Sequence, residues 1–162
     1  MNKNHLLELI IKKLTLDSEI QLNAAKTAHE ASTDEENIPD NKYETLALEA
    51  SYLAQGQANR AQEIKRAMSA YRGLELKSFD NESRIGVTAL VTLANAEDIE
   101  RVVFIGPLEG GMRITDRETE KEIVVITPAS PLGRNLIGKS VGDSVLIGAD
   151  RYGREFEIIE VI

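Results

Sequence analysis

LLELIIKKLTLDSEIQLNAAKTAHEA, residues 6–31, holds neither glycine nor proline, and its reading decides the first half of the fold. Leu7, Ile10, Leu14, Gln21, Ala24, Ala28 and Ala31 follow a three-four spacing that gathers them into one stripe on a helix. The stripe thins from Leu and Ile to Gln and Ala, so its far end buries little alone and calls for a close neighbour. After the break at Ser32 to Pro39, Leu46, Ala50, Leu53, Gln57, Ala61, Ile64, Met68 and Tyr71 repeat the spacing. Two such helices joined by a short connection predict an antiparallel coiled-coil hairpin over residues 1–77. At 1.5 Å per residue a helix of about 28 residues is roughly 42 Å long, so its tip is expected to stand beyond a compact body.

From Arg84 onward the period changes. Ile85 to Leu93, Arg101 to Ile105, Glu122 to Ile126, Ser144 to Ile147 and Glu155 to Val161 read as short strands rich in Val and Ile. One short helix interrupts them, with Ser130 as N-cap, Pro131 at the first helical position and Gly138 as the stop after Ile137. The class is therefore α+β: a helical hairpin over 1–77, a linker at 78–83 and a small β-rich domain over 84–162.

Composition narrows the function. The 162 residues include 42% hydrophobic ones, enough for a folded core, and no cysteine, which excludes disulfides, thiolate metal sites and a cysteine nucleophile. The start, MNKNHLLELIIKKL, alternates apolar and charged residues, and no stretch approaches the roughly 18 apolar residues that a membrane helix requires. A cytoplasmic, monomeric protein without a membrane partner is expected. The net charge is −8. Residues 1–77 carry 10 basic and 12 acidic groups and residues 78–162 carry 9 and 15, so neither half is a basic module that would bind nucleic acid through its phosphates. At the connection between the helices, Glu30, Asp34, Glu35, Glu36 and Asp40 stand with no basic residue among them. Such a concentration repels itself unless a cation or a basic partner meets it.

The run Thr127-Pro128-Ala129-Ser130-Pro131-Leu132-Gly133-Arg134-Asn135-Leu136-Ile137-Gly138-Lys139-Ser140-Val141-Gly142-Asp143 resembles the signature of the C-terminal domain of Gre factors. Gly153 to Val161 is similar to that family's closing strand, and Asp40-Asn41-Lys42-Tyr43-Glu44 and Gly56 lie where its hairpin turns and its second helix begins. The resemblance implies an FKBP-like C-terminal domain that grips the rim of the RNA polymerase secondary channel, with Ser130, Pro131 and Leu132 at the contact. It implies that the hairpin enters the channel and that its tip carboxylates help hold a magnesium ion shared with the polymerase active site. The nascent RNA 3′ end would be reached only indirectly. The chain would thus complete its partner's two-metal hydrolysis of backtracked RNA rather than be an enzyme alone.

One position departs from the family pattern of two acids three residues apart directly before Asn. Projected onto Asn41, that pattern places Asp40 on the second acid and Asn37 on the first. Asp40 is then the expected metal-holding and catalytic group, with Glu36 or Glu35 as substitute for the missing acid. The alternative that the altered tip raises is a regulator that blocks the channel without cleavage.

Other readings are weaker. Gly133 to Ser140 matches G-x-x-x-x-G-K-S, but a phosphate-binding loop must follow a strand and open a helix, whereas here the helix falls inside the match. An FKBP-like fold also suggests a prolyl isomerase, although Phe79, Phe104, Tyr152 and Phe156 are few for an aromatic pocket. His5 and His29 are expected to be surface groups without a catalytic constellation. A plain coiled-coil adaptor is the remaining reading, and it predicts tight self-association.

Overall fold

The computed structural model describes residues 2–33, 42–116, 120–148 and 153–162. Two long helices come first, α1 over Lys3–Thr33 and α2 over Lys42–Arg72. The chain then forms β1 (Leu90–Ala94), β2 (Glu100–Ile105), β3 (Arg113–Thr115), β4 (Glu122–Ile126), α3 (Pro131–Leu136), β5 (Ser144–Ile147) and β6 (Arg154–Val161). The expected α+β class is what the structure shows. Two compact units divide it: Ile10–Arg72 forms one, and Met1–Leu9 together with Gly73–Ile162 forms the other.

In the helical unit α1 and α2 run antiparallel. Thr15, near the start of α1, places its hydroxyl 3.4 Å from the sulfur of Met68, near the end of α2, while also donating to the Ile11 carbonyl. The buried residues are Ile10, Leu14, Ser18 and Ala28 on α1 and Ala61, Ile64, Ala67 and Tyr71 on α2. The stripes are thus largely those the spacing indicates, with three differences. Leu6 is fully buried where Leu7 was expected, because the run Leu6, Ile10, Leu14, Ser18 advances by four. Ala67 is buried beside a half-buried Met68, and Leu53 is 55% exposed. The side chains of Ala31 and Leu46 lie outside the described residues.

Gly56 sits in the middle of α2 with open space where a Cβ would stand. Glycine in a helix interior costs up to about 1 kcal/mol relative to alanine, and nothing around Gly56 requires it. Gly56→Ala is therefore expected to stabilise the helical unit by about 0.5–1 kcal/mol, visible as a later loss of helical circular dichroism on heating. An unchanged or earlier transition would mean that Gly56 answers to something other than helix stability.

The second unit is one six-stranded sheet in the order β3-β4-β2-β1-β6-β5. Among the described residues only β2 and β4 pair in parallel, with Val103 opposite Val124 and Ile105 opposite Ile126. All other neighbours are antiparallel, and β6, latest of the strands in sequence, lies between β1 and β5. One face carries Val91, Leu93, Val103, Ile105, Ile126, Phe156 and Ile158, packed with Leu136 of α3 and with Ile85 and Ala89. On the other face Leu90, Phe104, Ile123 and Val125 are also buried. The central strands are apolar on both sides, which is why they read as continuous Val and Ile runs.

Residues 85–89, expected as the start of the first strand, form a turn instead. Their backbone bonds run elsewhere: Ile85 N–H donates to the Lys139 carbonyl, Gly138 N–H donates to the Ile85 carbonyl, and Thr88 N–H donates to the Ile105 carbonyl. Thr88 holds a φ of 76°, uncommon for a β-branched residue, and its hydroxyl accepts from Lys77 N–H at 3.0 Å. The Thr88 carbonyl in turn accepts from the ammonium of Lys3 at 3.3 Å. Lys3 also donates to the Lys77 carbonyl and stands 4.9 Å from the centre of the Phe79 ring. Burial lowers its pKa below the ordinary lysine value. The first turn of α1 is thereby fastened to the segment that follows α2.

Candidate functional site

α3 is six residues long, and its start is built by side-chain bonds. Ser130 adopts an extended backbone, its Oγ accepts from Gly133 N–H at 3.0 Å, and the same hydroxyl donates to the Thr127 carbonyl at 2.7 Å. Pro131 follows at the first helical position, where its lack of an N–H costs nothing. Gly133 is buried beneath the Thr127 carbonyl, too close for any side chain: a Cβ there would stand 2.0 Å from that oxygen. The turn after α3 closes with Gly138 at a φ of +83°.

The three expected contact residues are neighbours but not equivalent. Ser130 is half-buried and its hydroxyl is committed to the cap in both directions. Pro131 is exposed and free for a partner's surface. Leu132 is half-buried, packs against the core and lines a cavity of about 530 Å³ between α3 and the sheet. Ile99, Val102, Val103, Val124 and Ile126 supply the rest of its apolar lining. At its rim Arg113 pairs with Glu122 at 2.7 Å and Lys121 with Glu100 at 2.9 Å. The cavity draws residues from β2, β3, β4 and α3, so no local spacing in the sequence announces it.

Asp40, Glu36, Glu35 and Asn37, the tip positions expected to matter for a metal, lie outside the described residues. Among the described residues no group of three or more His, Asp or Glu could hold an ion. His29 is exposed as expected. His5 is not a free surface group: its Nε2 lies 4.0 Å from the buried carboxylate of Asp116, and its Nδ1 lies 3.9 Å from Glu8.

The phosphate-loop match fails in the structure for the expected reason. α3 lies inside it, and the amides that would cradle a phosphate are engaged: Gly138 N–H with Ile85, Lys139 N–H with Leu136, and Ser140 N–H with the Asp143 carboxylate. An isomerase pocket finds no support either. Phe104 and Phe156 are buried in the cores, Tyr152 lies outside the described residues, and among the described residues no aromatic side chain lines the cavity.

A pair of long helices joined in sequence to a mixed sheet with one short, serine-capped helix defines a two-unit α+β protein whose second half carries the signature residues. Residues 80–162 match the family described as "Transcription elongation factor, GreA/GreB, C-term", and the chain belongs to that family. It is 32% identical over 104 residues to transcription elongation factor GreA of Xanthomonas axonopodis pv. citri, a match covering 63% of this chain and 60% of the relative. It is 25% identical over 126 residues to GreA of Syntrophus aciditrophicus, covering 77% and 71%. The chain thus spans about 60% of the length of the first of these relatives. Among solved structures it is similar to GreA factor homolog 1 (Gfh1) of Thermus thermophilus, with 21% identity, a TM-score of 0.39, and 96% and 94% of the two chains covered. Gfh1 of Thermus aquaticus gives 23% identity and a TM-score of 0.40, with 95% and 92% covered. At such scores the family assignment rests on the sequence match and not on the superposition. No helix of the described residues is long and apolar enough to cross a membrane.

Proposed function

We propose that this chain binds RNA polymerase through its C-terminal unit, inserts the helical pair into the secondary channel, and stimulates cleavage of backtracked RNA. What supports the reading above all is the family match over residues 80–162, which contains the exposed Pro131 at the start of α3. The acidic balance, −8 overall, agrees with access to nucleic acid through a protein partner rather than through phosphate contacts. At the tip, Asp40 with Glu36 or Glu35 would face a magnesium ion held mainly by the polymerase. Such an ion supplies activation of water and stabilisation of the leaving oxygen. The residues of this chain bring carboxylates to it and leave the remaining coordination to the partner, so the free protein should not cleave RNA.

Cleavage of a stalled, backtracked elongation complex with and without the protein tests the proposal directly. Shortened RNA 3′ ends are expected only when both are present. The departure at Asn37 favours a second reading, a channel-blocking regulator, which predicts inhibited synthesis with no cleavage.

The docking residues have their own test. Pro131→Asp places a carboxylate at the first turn of α3, where the helix dipole tolerates it, so the fold should survive. Affinity for core RNA polymerase is expected to fall by about 10-fold or more, because an apolar contact is replaced by a charge that must be desolvated. Wild-type affinity in a folded Pro131→Asp protein would move the docking surface away from α3.

A further inference from the structure

The cavity beside α3 is apolar inside and carries five charged groups at its rim: Glu100, Arg101, Arg113, Lys121 and Glu122. Four of them cancel in the two ion pairs described above. Arg101 is left over. Among the described residues no carboxylate pairs with it, and its guanidinium lies over the Phe156 ring, 5.1 Å from the centroid. Phe156 is 1% exposed, so the ring is a fixed platform. A guanidinium held against a ring face keeps its in-plane N–H donors directed outward and loses little freedom when it meets an anion. Among the described residues the rim therefore presents one uncompensated, preoriented positive charge beside an apolar space.

We infer that this cavity receives an apolar side chain from a protein partner, and that Arg101 binds a carboxylate placed next to that side chain. A volume of about 530 Å³ accommodates one or two large side chains. A single net positive charge suits one carboxylate. A phosphodiester strand would need several cations in a row, and it would also meet Glu100 and Glu122 in a protein of charge −8. The docking segment of the partner thus pairs one apolar with one acidic residue, and Arg101 sets specificity by rejecting segments that lack the acid. This inference rests on the reading that the partner is RNA polymerase.

The experiment uses the full chain and immobilised, nuclease-treated core RNA polymerase, with affinity measured at several salt concentrations. Arg101→Gln is expected to weaken binding by about 10-fold or more and to flatten its salt dependence, since one charge-assisted contact is lost. Arg101→Lys should recover only part of the affinity, because an ammonium keeps the charge but not the two-pronged geometry. If Arg101→Gln folds poorly, the lysine variant carries the decision, and full affinity in it would overturn the two-pronged contact. If the wild-type chain binds while Arg101→Gln binds equally with the same salt slope, the inference is wrong and the polymerase reading stands. If binding disappears on nuclease treatment, the ligand is a phosphate backbone and the carboxylate assignment is overturned. If the wild-type chain does not bind polymerase at all, the reading itself fails and the inference falls with it.

Discussion

Replacing Asp40 by alanine is expected to lower transcript cleavage in a backtracked polymerase complex by on the order of 10- to 100-fold, the range that follows loss of groups around a catalytic metal. Affinity for the polymerase should stay within about twofold, because a group that acts at the reacting centre stabilises the transition state rather than the docked ground state. Glu36→Ala tests the proposal that another acid stands in at the tip for Asn37. If Glu36 takes the place of the missing acid, both variants lose cleavage alike; if Glu35 does, only Asp40→Ala and a Glu35→Ala variant do. Asn37→Asp, which restores two acids three residues apart before Asn41, should raise cleavage. Single-turnover cleavage rates at saturating protein measure all four. Should Asp40→Ala and Glu36→Ala leave cleavage untouched while relieving an inhibition of RNA synthesis, the chain is a channel-blocking regulator.

The second large effect is on stability. Gly133→Ala should destabilise the sheet unit by about 2–4 kcal/mol, combining about 1–3 for forced overpacking with about 1 for a damaged helix cap. The new methyl group would lie 2.0 Å from the Thr127 carbonyl and 2.9 Å from the Ser130 hydroxyl. That carbonyl cannot yield cheaply, because it accepts from both the backbone N–H and the hydroxyl of Ser130. Calorimetry should show the melting temperature falling by on the order of 10–20 °C, given about 4–8 °C per kcal/mol for a unit of this size. A shift of about 2 °C or less would mean that α3 can slide away from Thr127 without loss. Gly56→Ala moves in the opposite direction, and the contrast isolates crowding from backbone freedom.

Much of this architecture was legible because the apolar period is strong where burial is one-sided or complete. β4 and β5 fall on the expected residues, β2 and β6 each begin one residue earlier, and α3 has the expected cap and stop. β3 was missed because Arg113-Ile114-Thr115 has one buried residue in three, too short an alternation to read. The strand expected from Ile85 begins only at Leu90, since burial of Ile85 and Ala89 mimics a strand while their backbone bonds serve α3's closing turn and β2. Of the candidate site, helix-capping rules place Ser130 and Pro131 at the start of α3, whereas Ser130 to Leu132 enter as a contact only through the resemblance to Gre factors. Arg101 could be found by neither route, because its meaning depends on a ring 55 positions later in the chain and on which neighbouring charges are already spent.

The position of β6 between β1 and β5 has a consequence for synthesis on the ribosome. β1 pairs with β6 from Val91 to Val161, and Leu90 and Ile162 exchange backbone bonds in both directions. Until residues 154–162 have left the exit tunnel, β5 lacks its antiparallel neighbour β6 and the flank of β1 that β6 covers is an unprotected edge, the kind of surface on which chains aggregate. The helical unit, Ile10–Arg72, is translated in full long before that moment and is compact in its own right. A nascent chain of this protein therefore waits with its helices formed and its sheet incomplete, and ribosome-bound chaperones should engage it at lengths between the exposure of β1 and the arrival of β6.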